Sequence, residues 1–178
     1  QPEISNTVLN ATNVNNNTNQ NLTLFWTSTD TDSDSVKNIT NWYLNGTSIT
    51  VLNMPFENNG SDAGTNDYSG FNNDGTEAGS IVWNSTAGYG GKGAYEFDGV
   101  NDYINVTNFV DYDYSYGTLS VWFKAEPGQH LNSRVVEWGS FNDRMGILVN
   151  TNKKIEAFGV DGGAVELDII SDNIVNDN

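Results

Sequence analysis

The amino-acid sequence predicts an all-β fold, built as an antiparallel β-sandwich. Apolar residues alternate with polar ones over segments of about four to eight residues, which is the pattern of half-buried strands. Glycine, asparagine and aspartate separate these segments at roughly ten-residue spacing, as in the turns of a sandwich. Since no segment keeps an apolar period of 3.6 residues over three turns, we expect no long helix.

Residues 1–50 predict a first, short β segment of three or four strands. The Asn- and Thr-rich run 12–20 is typical of a loop, and the next segment, 21–28, alternates as a strand with one apolar face. Within 41–51, Asn45-Gly46 supplies the two residues with positive φ that a type I′ hairpin turn needs. A Trp after an acidic loop, followed by this turn, resembles the front half of an immunoglobulin-like or cadherin-like domain without a disulfide.

Residues 51–178 predict a second, larger β unit. Its centre is the stretch 94–106, where two short alternating strands flank a loop that carries two carboxylates, and we expect them to form a hairpin. Further strands are predicted at 51–57, 80–83, 118–125, 134–138, 145–149, 154–160 and 165–170, with a loop at 58–76 and a glycine-rich turn at 86–93.

Three ordered motifs in this unit point to a family. They are Asp67, Ser69, Gly70, Asn73 and Gly75; then Phe97, Asp98, Gly99, Asp102 and Tyr103; then Ser120, Trp122 and Lys124. Together they resemble a laminin-G-like, concanavalin A-like jelly roll over residues 51–164. The resemblance implies a jelly-roll sandwich preceded by the short immunoglobulin-like segment. It also implies that the first two motifs lie near each other and hold a structural calcium ion.

The predicted metal ligands are therefore Asp67, Asn73, Asp98 and Asp102. Calcium prefers carboxylate and carbonyl oxygens, and the chain's acidity is compatible with it. A weaker candidate is the run Asp30, Asp32 and Asp34, whose alternate spacing can wrap a cation but lacks the glycine and distal glutamate of an EF-hand. The alternative for both groups is that the side chains cap turns by accepting hydrogen bonds from nearby backbone amides.

We predict no catalytic residues. The glucanases among concanavalin A-like folds carry paired acidic residues on one strand, and neither Glu137 nor Glu156 has a second carboxylate in that register. Glycan binding stays open, because Tyr112, Tyr114 and Tyr116 form an aromatic cluster in a polar loop and exposed aromatic rings stack on sugars.

The composition bounds the partners. Seven Lys and Arg residues against 23 Asp and Glu residues give a net charge of −16, which disfavours nucleic acid and anionic membrane surfaces as partners. No apolar run approaches the roughly 20 residues of a membrane-spanning helix. The chain contains no cysteine, which excludes disulfides, thiolate metal sites and a cysteine nucleophile.

Sequons predict an extracellular location. The motif Asn-x-Ser/Thr begins at Asn10, Asn16, Asn21, Asn38, Asn45, Asn59, Asn84 and Asn105, and such sites are glycosylated only on an exported chain. The start at Gln1-Pro2 without Met is typical of a trimmed segment, either after a removed signal peptide or at the edge of a larger protein, and we expect export.

The end of the chain bears on assembly. The strands that close the resembled jelly roll are not found after Ile170, which leaves three alternatives: a fragment, a disordered remainder, or strands donated by neighbours. We therefore expect a non-catalytic extracellular surface protein for adhesion or surface architecture, which contacts other surface proteins or glycans. The alternatives are a self-assembling filament or surface-layer subunit that polymerises by strand addition, and a carbohydrate-binding module of a secreted hydrolase.

Overall fold

The computed structural model describes residues 1–13, 15, 17, 19–34, 36–57, 65–107, 109, 118–125, 132–140 and 142–174. Within these ranges the chain is all-β: its strands pair only antiparallel, and no helix occurs. A helix long and apolar enough to cross a membrane is therefore not found in the described part. The predicted all-β class is confirmed, whereas the pairing alone does not establish a jelly-roll sandwich.

The described strands form one four-stranded sheet and four two-stranded ones. Their bounds are β1 Pro2–Ala11, β2 Leu22–Asp30, β3 Tyr43–Leu44, β4 Thr47–Ser48, β5 Thr76–Ala78, β6 Val82–Asn84, β7 Ala94–Glu96, β8 Tyr103–Asn105, β9 Ser133–Gly139, β10 Arg144–Val149, β11 Lys154–Asp161 and β12 Ala164–Ile174.

The first four strands form two hairpins, of which the sequence analysis predicted the second, within 41–51, and not the pairing of β1 with β2. β1 pairs with β2, and in β2 Leu24 and Trp26 are half-buried on one face while Phe25 is exposed on the other. β3 pairs with β4 across Asn45 and Gly46, whose φ angles of 51° and 83° are those of a type I′ turn.

The predicted hairpin at 94–106 is wrong in its pairing. β7 and β8 form, but β7 pairs with β6 and β8 pairs with β5. Along the chain, the β6–β7 pair lies inside the β5–β8 pair. Together the four strands form one two-stranded ribbon, which is interrupted in the middle, where residues 79–81 lie opposite the longer stretch 97–102. We call 97–102 the acidic bulge. β7 and β8 follow each other along the same side of this ribbon, so they do not face each other.

The four predicted strands at 134–138, 145–149, 154–160 and 165–170 form as β9 to β12, and they pair as an antiparallel meander in the order β12-β11-β10-β9. One face of this sheet is apolar on every strand. Pairing places Trp138 beside Met145, Val136 beside Ile147, and Ala157 beside Ile169 on that face. The face is half-buried on β9 and β10 and exposed on β12, where Ile169 is 61% accessible.

Two predicted strands do not form. The main-chain groups of 51–57 bond to side chains instead of a ladder: the carbonyl of Val51 accepts from Asn73, and the carbonyl of Phe56 accepts from Trp83. The segment 118–125 joins no ladder either and is largely exposed. Alternation indicates which faces a strand presents, but a strand forms only where a neighbour supplies the ladder.

Candidate functional site

The best-buried part of the described chain is polar. Asn73 and Ser69 are each 1% exposed and are the largest fully buried side chains there, whereas the buried apolar residues are Tyr95, Val149 and Phe158. Both polar residues belong to the first family-like motif. We call residues 65–75, together with 51–53, the loop knot.

Asp67 is the centre of the loop knot. One carboxylate oxygen, Oδ1, accepts hydrogen bonds from the backbone amides of Asn53 and Ser69, each at 2.9 Å. The other, Oδ2, accepts from the Ser69 hydroxyl at 2.5 Å and from the Asn73 amide at 3.1 Å. A single side chain therefore accepts three main-chain amides from two segments, 51–53 and 65–75, in the manner of the turn-capping alternative.

Asn73 completes the loop knot from the opposite side. Its side-chain amide donates to the carbonyl of Val51 at 2.8 Å, which closes the loop onto residues 51–53. Because both groups are buried, each would otherwise carry an unpaired polar atom at a cost of about 1–3 kcal/mol. The loop is thus held by satisfied polar groups.

The hydrogen bonds also set the ionisation of Asp67. Partial burial alone would raise the pKa of this carboxyl group, but the bonds from Ser69, Asn53 and Asn73 outweigh it and hold the pKa below its ordinary value of 3.8. Asp67 is therefore ionised at neutral pH, and the ionised form can accept all four hydrogen bonds.

In the acidic bulge two aspartates also bind main-chain amides. Asp102 bridges the ribbon, because its Oδ1 accepts from the amide of Ser80 at 2.6 Å and its Oδ2 from the amide of Asp98 at 2.9 Å. Asp98 Oδ1 in turn accepts from the amide of Val100 at 2.8 Å. The pKa of Asp98 is lowered by the backbone amides that donate to its carboxylate, that of Val100 most strongly and those of Asn101 and Asp102 less.

Glycine is required where the bulge meets the opposite strand. Gly79 has a φ of +86°, and a Cβ placed on it would collide with the carboxylate of Asp102. The close approach of Gly79 is what lets Asp102 reach the amide of Ser80.

The structure thus places the predicted calcium ligands in two pairs, Asp67 with Asn73 and Asp98 with Asp102. The first pair does not fit a calcium ion as arranged, since each oxygen of Asp67 already accepts two donors and a cation would displace them. In the second pair each oxygen of Asp102 accepts one bond. Among the described residues, no group of three or more His, Cys, Asp or Glu side chains is placed to hold a metal ion. The calcium site stays a prediction.

The weaker metal candidate forms a turn. The side chain of Asp30 accepts a hydrogen bond from the amide of Asp32 at 2.9 Å, and Ser33 takes a φ of 64°. Asp34 is exposed. This arrangement matches the turn-capping alternative.

A buried carboxylate that the sequence analysis did not single out anchors a loop. Glu57 is 6% exposed, and its Oε2 lies 3.1 Å from Nζ of Lys37 and accepts from the amide of Gly93 at 3.3 Å. Its Oε1 lies 3.9 Å from Nζ of Lys92. Glu57 therefore fixes the base of the loop 86–93, and only the three-dimensional contact reveals it, because nothing in the local sequence marks this residue.

Tyr95, on β7, connects the ribbon of β5 to β8 to Phe56, which follows the 51–53 part of the loop knot. Its ring meets the ring of Phe56 edge-on, with centroids 5.1 Å apart, and its hydroxyl donates to Glu77 on β5. Burial, together with the bond to Glu77 and that residue's charge, raises the pKa of Tyr95 far above 10.0.

The described sequon asparagines fall into two groups. Asn38 and Asn84 are half-buried, and their side-chain amides donate to Ser28 and Glu96 respectively. The exposed group is Asn10, Asn21, Asn45 and Asn105. Asn16 and Asn59 lie outside the described residues.

The predicted glycan-binding residues Tyr112, Tyr114 and Tyr116 also lie outside the described residues. A different aromatic pair is found instead: Tyr89, from the glycine-rich turn, stacks on Trp122 with ring centroids 4.2 Å apart. The available signal for Tyr89 was an aromatic residue alone among glycines, in TAGYGGKG.

Comparison with protein-family models, with curated proteins and with solved structures finds no match to this chain.

Proposed function

We propose that this chain is a non-catalytic element of an extracellular surface, used for adhesion or surface architecture, and that it contacts its partners by strand addition. The observation that carries the proposal is the state of β12. Among the described strands β12 pairs with β11 only, and every residue from 164 to 170 is exposed. β12 is thus an open edge of the described sheet.

Open edges of this kind are templates for pairing. Main-chain groups on the outer side of an edge strand are available to another strand, and exposed apolar side chains add affinity. β12 presents Leu167 and Ile169, which are 43% and 61% exposed, on the apolar face of the sheet, where they pair with Gly159 and Ala157. A docked strand would continue that face.

A self-assembling filament is the second candidate, and the topology favours it. Among the described strands, β9 and β12 are the two opposite edges of one sheet. If β9 of one copy added to β12 of the next, the contact would be head-to-tail, and such contacts generate fibres where their rotation does not close a ring. The acidic Glu166 and Asp168 disfavour pairing of β12 with itself through like-charge repulsion.

The test is the native size of the protein combined with edge variants. We expect concentration-dependent association in sedimentation velocity, with slowed hydrogen exchange of the β12 amides in the associated state. Ile169→Lys introduces a charge at the edge and should abolish association. Ile4→Lys is the matched control, because Ile4 is 70% exposed on β1 and lies outside this sheet.

The outcomes separate the candidates. Association that Ile169→Lys abolishes and Ile4→Lys leaves intact supports the filament. A protein that stays monomeric, but whose β12 amides become protected on binding another surface protein, supports adhesion. A monomer with slow exchange along β12 would overturn the strand-addition proposal, because that edge would already be covered.

The acidic bulge is the place where we propose calcium, if the jelly-roll resemblance extends to function. The support is that Asp98 and Asp102 are neighbours and that Asp102 accepts one bond at each oxygen. Addition of Ca²⁺ to the chelator-treated protein should then raise Tm, and Asp98→Asn with Asp102→Asn should remove that rise. An equal rise in the double variant would place the ion elsewhere.

The extracellular location is tested by glycan occupancy. On expression in a eukaryotic secretory host we expect the exposed Asn10, Asn21 and Asn45 to be occupied more fully than Asn38 and Asn84, because the latter two use their amide groups in hydrogen bonds. Peptide mapping measures each site. Uniformly empty sequons on a secreted chain would contradict the assignment of a glycosylated surface.

A further inference from the structure

We propose that Tyr89 and Trp122 form a stacking platform for the C–H-rich face of a neutral sugar ring. The two rings are nearly parallel, with an interplanar angle of 13° and centroids 4.2 Å apart. Both side chains are largely exposed, Tyr89 at 73% and Trp122 at 75%. The pair is called the aromatic platform below.

The geometry leaves two ring faces open. In a stacked pair each ring covers one face of the other, so one outer face of each remains in contact with water. Large aromatic side chains are normally the main contributors of buried area in cores and interfaces. In this exposed pair, apolar ring area therefore stays accessible to a ligand, and the stacking fixes the orientation of the rings.

The loop that carries Tyr89 is held in place. Within it, Gly88 donates its amide to the carbonyl of Lys92 at 2.8 Å, and Gly91 donates to Gly88 at 3.1 Å. At its base, Glu57 binds the amide of Gly93 and the ammonium group of Lys92. Because the loop is already held in place, little conformational entropy is lost when a ligand binds, which favours binding.

The chemistry of the surroundings selects the ligand. A net charge of −16 repels anions such as nucleotides and sulfated polymers. Two stacked rings make a flat surface, whereas recognition of a quaternary ammonium group uses an aromatic cage around the cation. A pyranose ring has a flat face of C–H groups and no charge, so it matches an open aromatic face.

The aromatic platform shares no residue with the edge strand β12. Failure of either proposal therefore leaves the other standing.

The experiment measures binding of three neutral oligosaccharides, cellohexaose, mannohexaose and the N-acetylglucosamine hexamer, by calorimetry and by the indole N–H signals in NMR spectra. We expect saturable binding of at least one of them. Trp122→Ala and Tyr89→Ala should each weaken it about tenfold, and Tyr89→Phe, which keeps the ring, less than threefold. Tyr43→Ala is the matched control, because Tyr43 is 59% exposed outside the platform, and it should leave binding unchanged.

Tetramethylammonium is the competing probe. Binding of none of the three sugars, or equal affinity in wild type, Trp122→Ala and Tyr89→Ala, overturns the proposal. Binding of tetramethylammonium without sugar also overturns it, and identifies a cation site instead. Far-UV circular dichroism establishes that each variant is folded, and the two alanine variants report independently if one of them is not.

Discussion

In the loop knot the most deeply buried side chains are polar, whereas in the four-stranded sheet the apolar side chains of the edge strand lie in water. Asn73 is 1% exposed and Ile169 is 61% exposed. Polar side chains are usually exposed and apolar side chains buried, and these two regions show the reverse. The loop knot satisfies its polar groups internally, and the sheet leaves part of its apolar face unpaired.

The difference separates two sources of order. A buried hydrogen bond adds about 1 kcal/mol net, but leaving its partner unpaired costs more, so a satisfied polar loop has one favoured conformation. Apolar area contributes about 25 cal/mol per Å² only once it leaves water. The loop knot is therefore complete in itself, whereas β12 gains most of its apolar stabilisation when something covers it.

The largest expected effect is at the centre of the loop knot. Asp67→Ala should lower the free energy of unfolding by about 3–5 kcal/mol, because it leaves the amides of Asn53, Ser69 and Asn73 without their acceptor. Urea denaturation measures the change. Asp34→Ala removes an exposed carboxylate as a control and should stay within about 0.5 kcal/mol. Similar small losses for both variants would show that the loop knot does not order the fold.

Asn73→Asp sharpens the test with almost no change of shape. It replaces the donor to Val51 by an acceptor and brings a second negative charge beside Asp67, so we expect a loss of about 2–4 kcal/mol. Asn72→Asp makes the same substitution at the exposed neighbouring position and should cost less than about 0.5 kcal/mol.

Asn73→Asp also distinguishes a loop held by hydrogen bonds from a loop held by a metal ion. If Ca²⁺ restored the stability of Asn73→Asp to the wild-type value, the loop knot would be a cation site, since an added carboxylate strengthens calcium coordination. We expect the same loss in excess Ca²⁺ and in chelator.

The sequence predicts the two regions unequally. Alternation located all four strands of the sheet, because apolar residues at every second position suit a pleated, half-buried surface. The same alternation at 118–125 gave no strand, since forming a ladder depends on a neighbouring strand that local sequence does not specify. Alternation also could not indicate that Val149 would be buried and Ile169 exposed on one face.

The loop knot shows the opposite limit. Asp67, Ser69 and Asn73 were singled out by their motif, and the structure brings them together. Their partners on 51–53 come from a segment that the pattern predicted as a strand. Glu57 was missed because its two lysines are distant in sequence, at 37 and 92. Motifs therefore identify the residues of such a site, and the fold supplies what they bind.

Acid should weaken the loop knot by protonating Asp67. The folded-state pKa of Asp67 lies below the ordinary value of 3.8, so its stabilisation is fully present above that value and is lost as the pH falls through the lowered pKa. We expect the free energy of unfolding to fall below about pH 4. Asp67→Asn, measured over the same range, should show a smaller slope. Parallel pH profiles would assign the acid sensitivity to other carboxylates.

The smallest expected effect is on β12, the exposed edge strand of the sheet. Val149 and Ile169 lie on the same face, but they are 7% and 61% exposed. Val149→Thr buries a hydroxyl and should cost about 1–3 kcal/mol. Ile169→Thr keeps a β-branched residue in water and should change the unfolding of the dilute monomer by less than about 0.5 kcal/mol.

The pair of threonine variants decides what β12 is for. If strand addition covers the edge, Ile169→Thr should weaken association far more than it weakens folding, since the apolar area at position 169 leaves water only in the assembly. Unfolding is followed at low concentration, where association is absent, and association by sedimentation at high concentration. Equal destabilisation of the monomer by Val149→Thr and Ile169→Thr would mean that β12 is covered in the free chain, and the contrast between a completed loop and an uncompleted sheet would not hold.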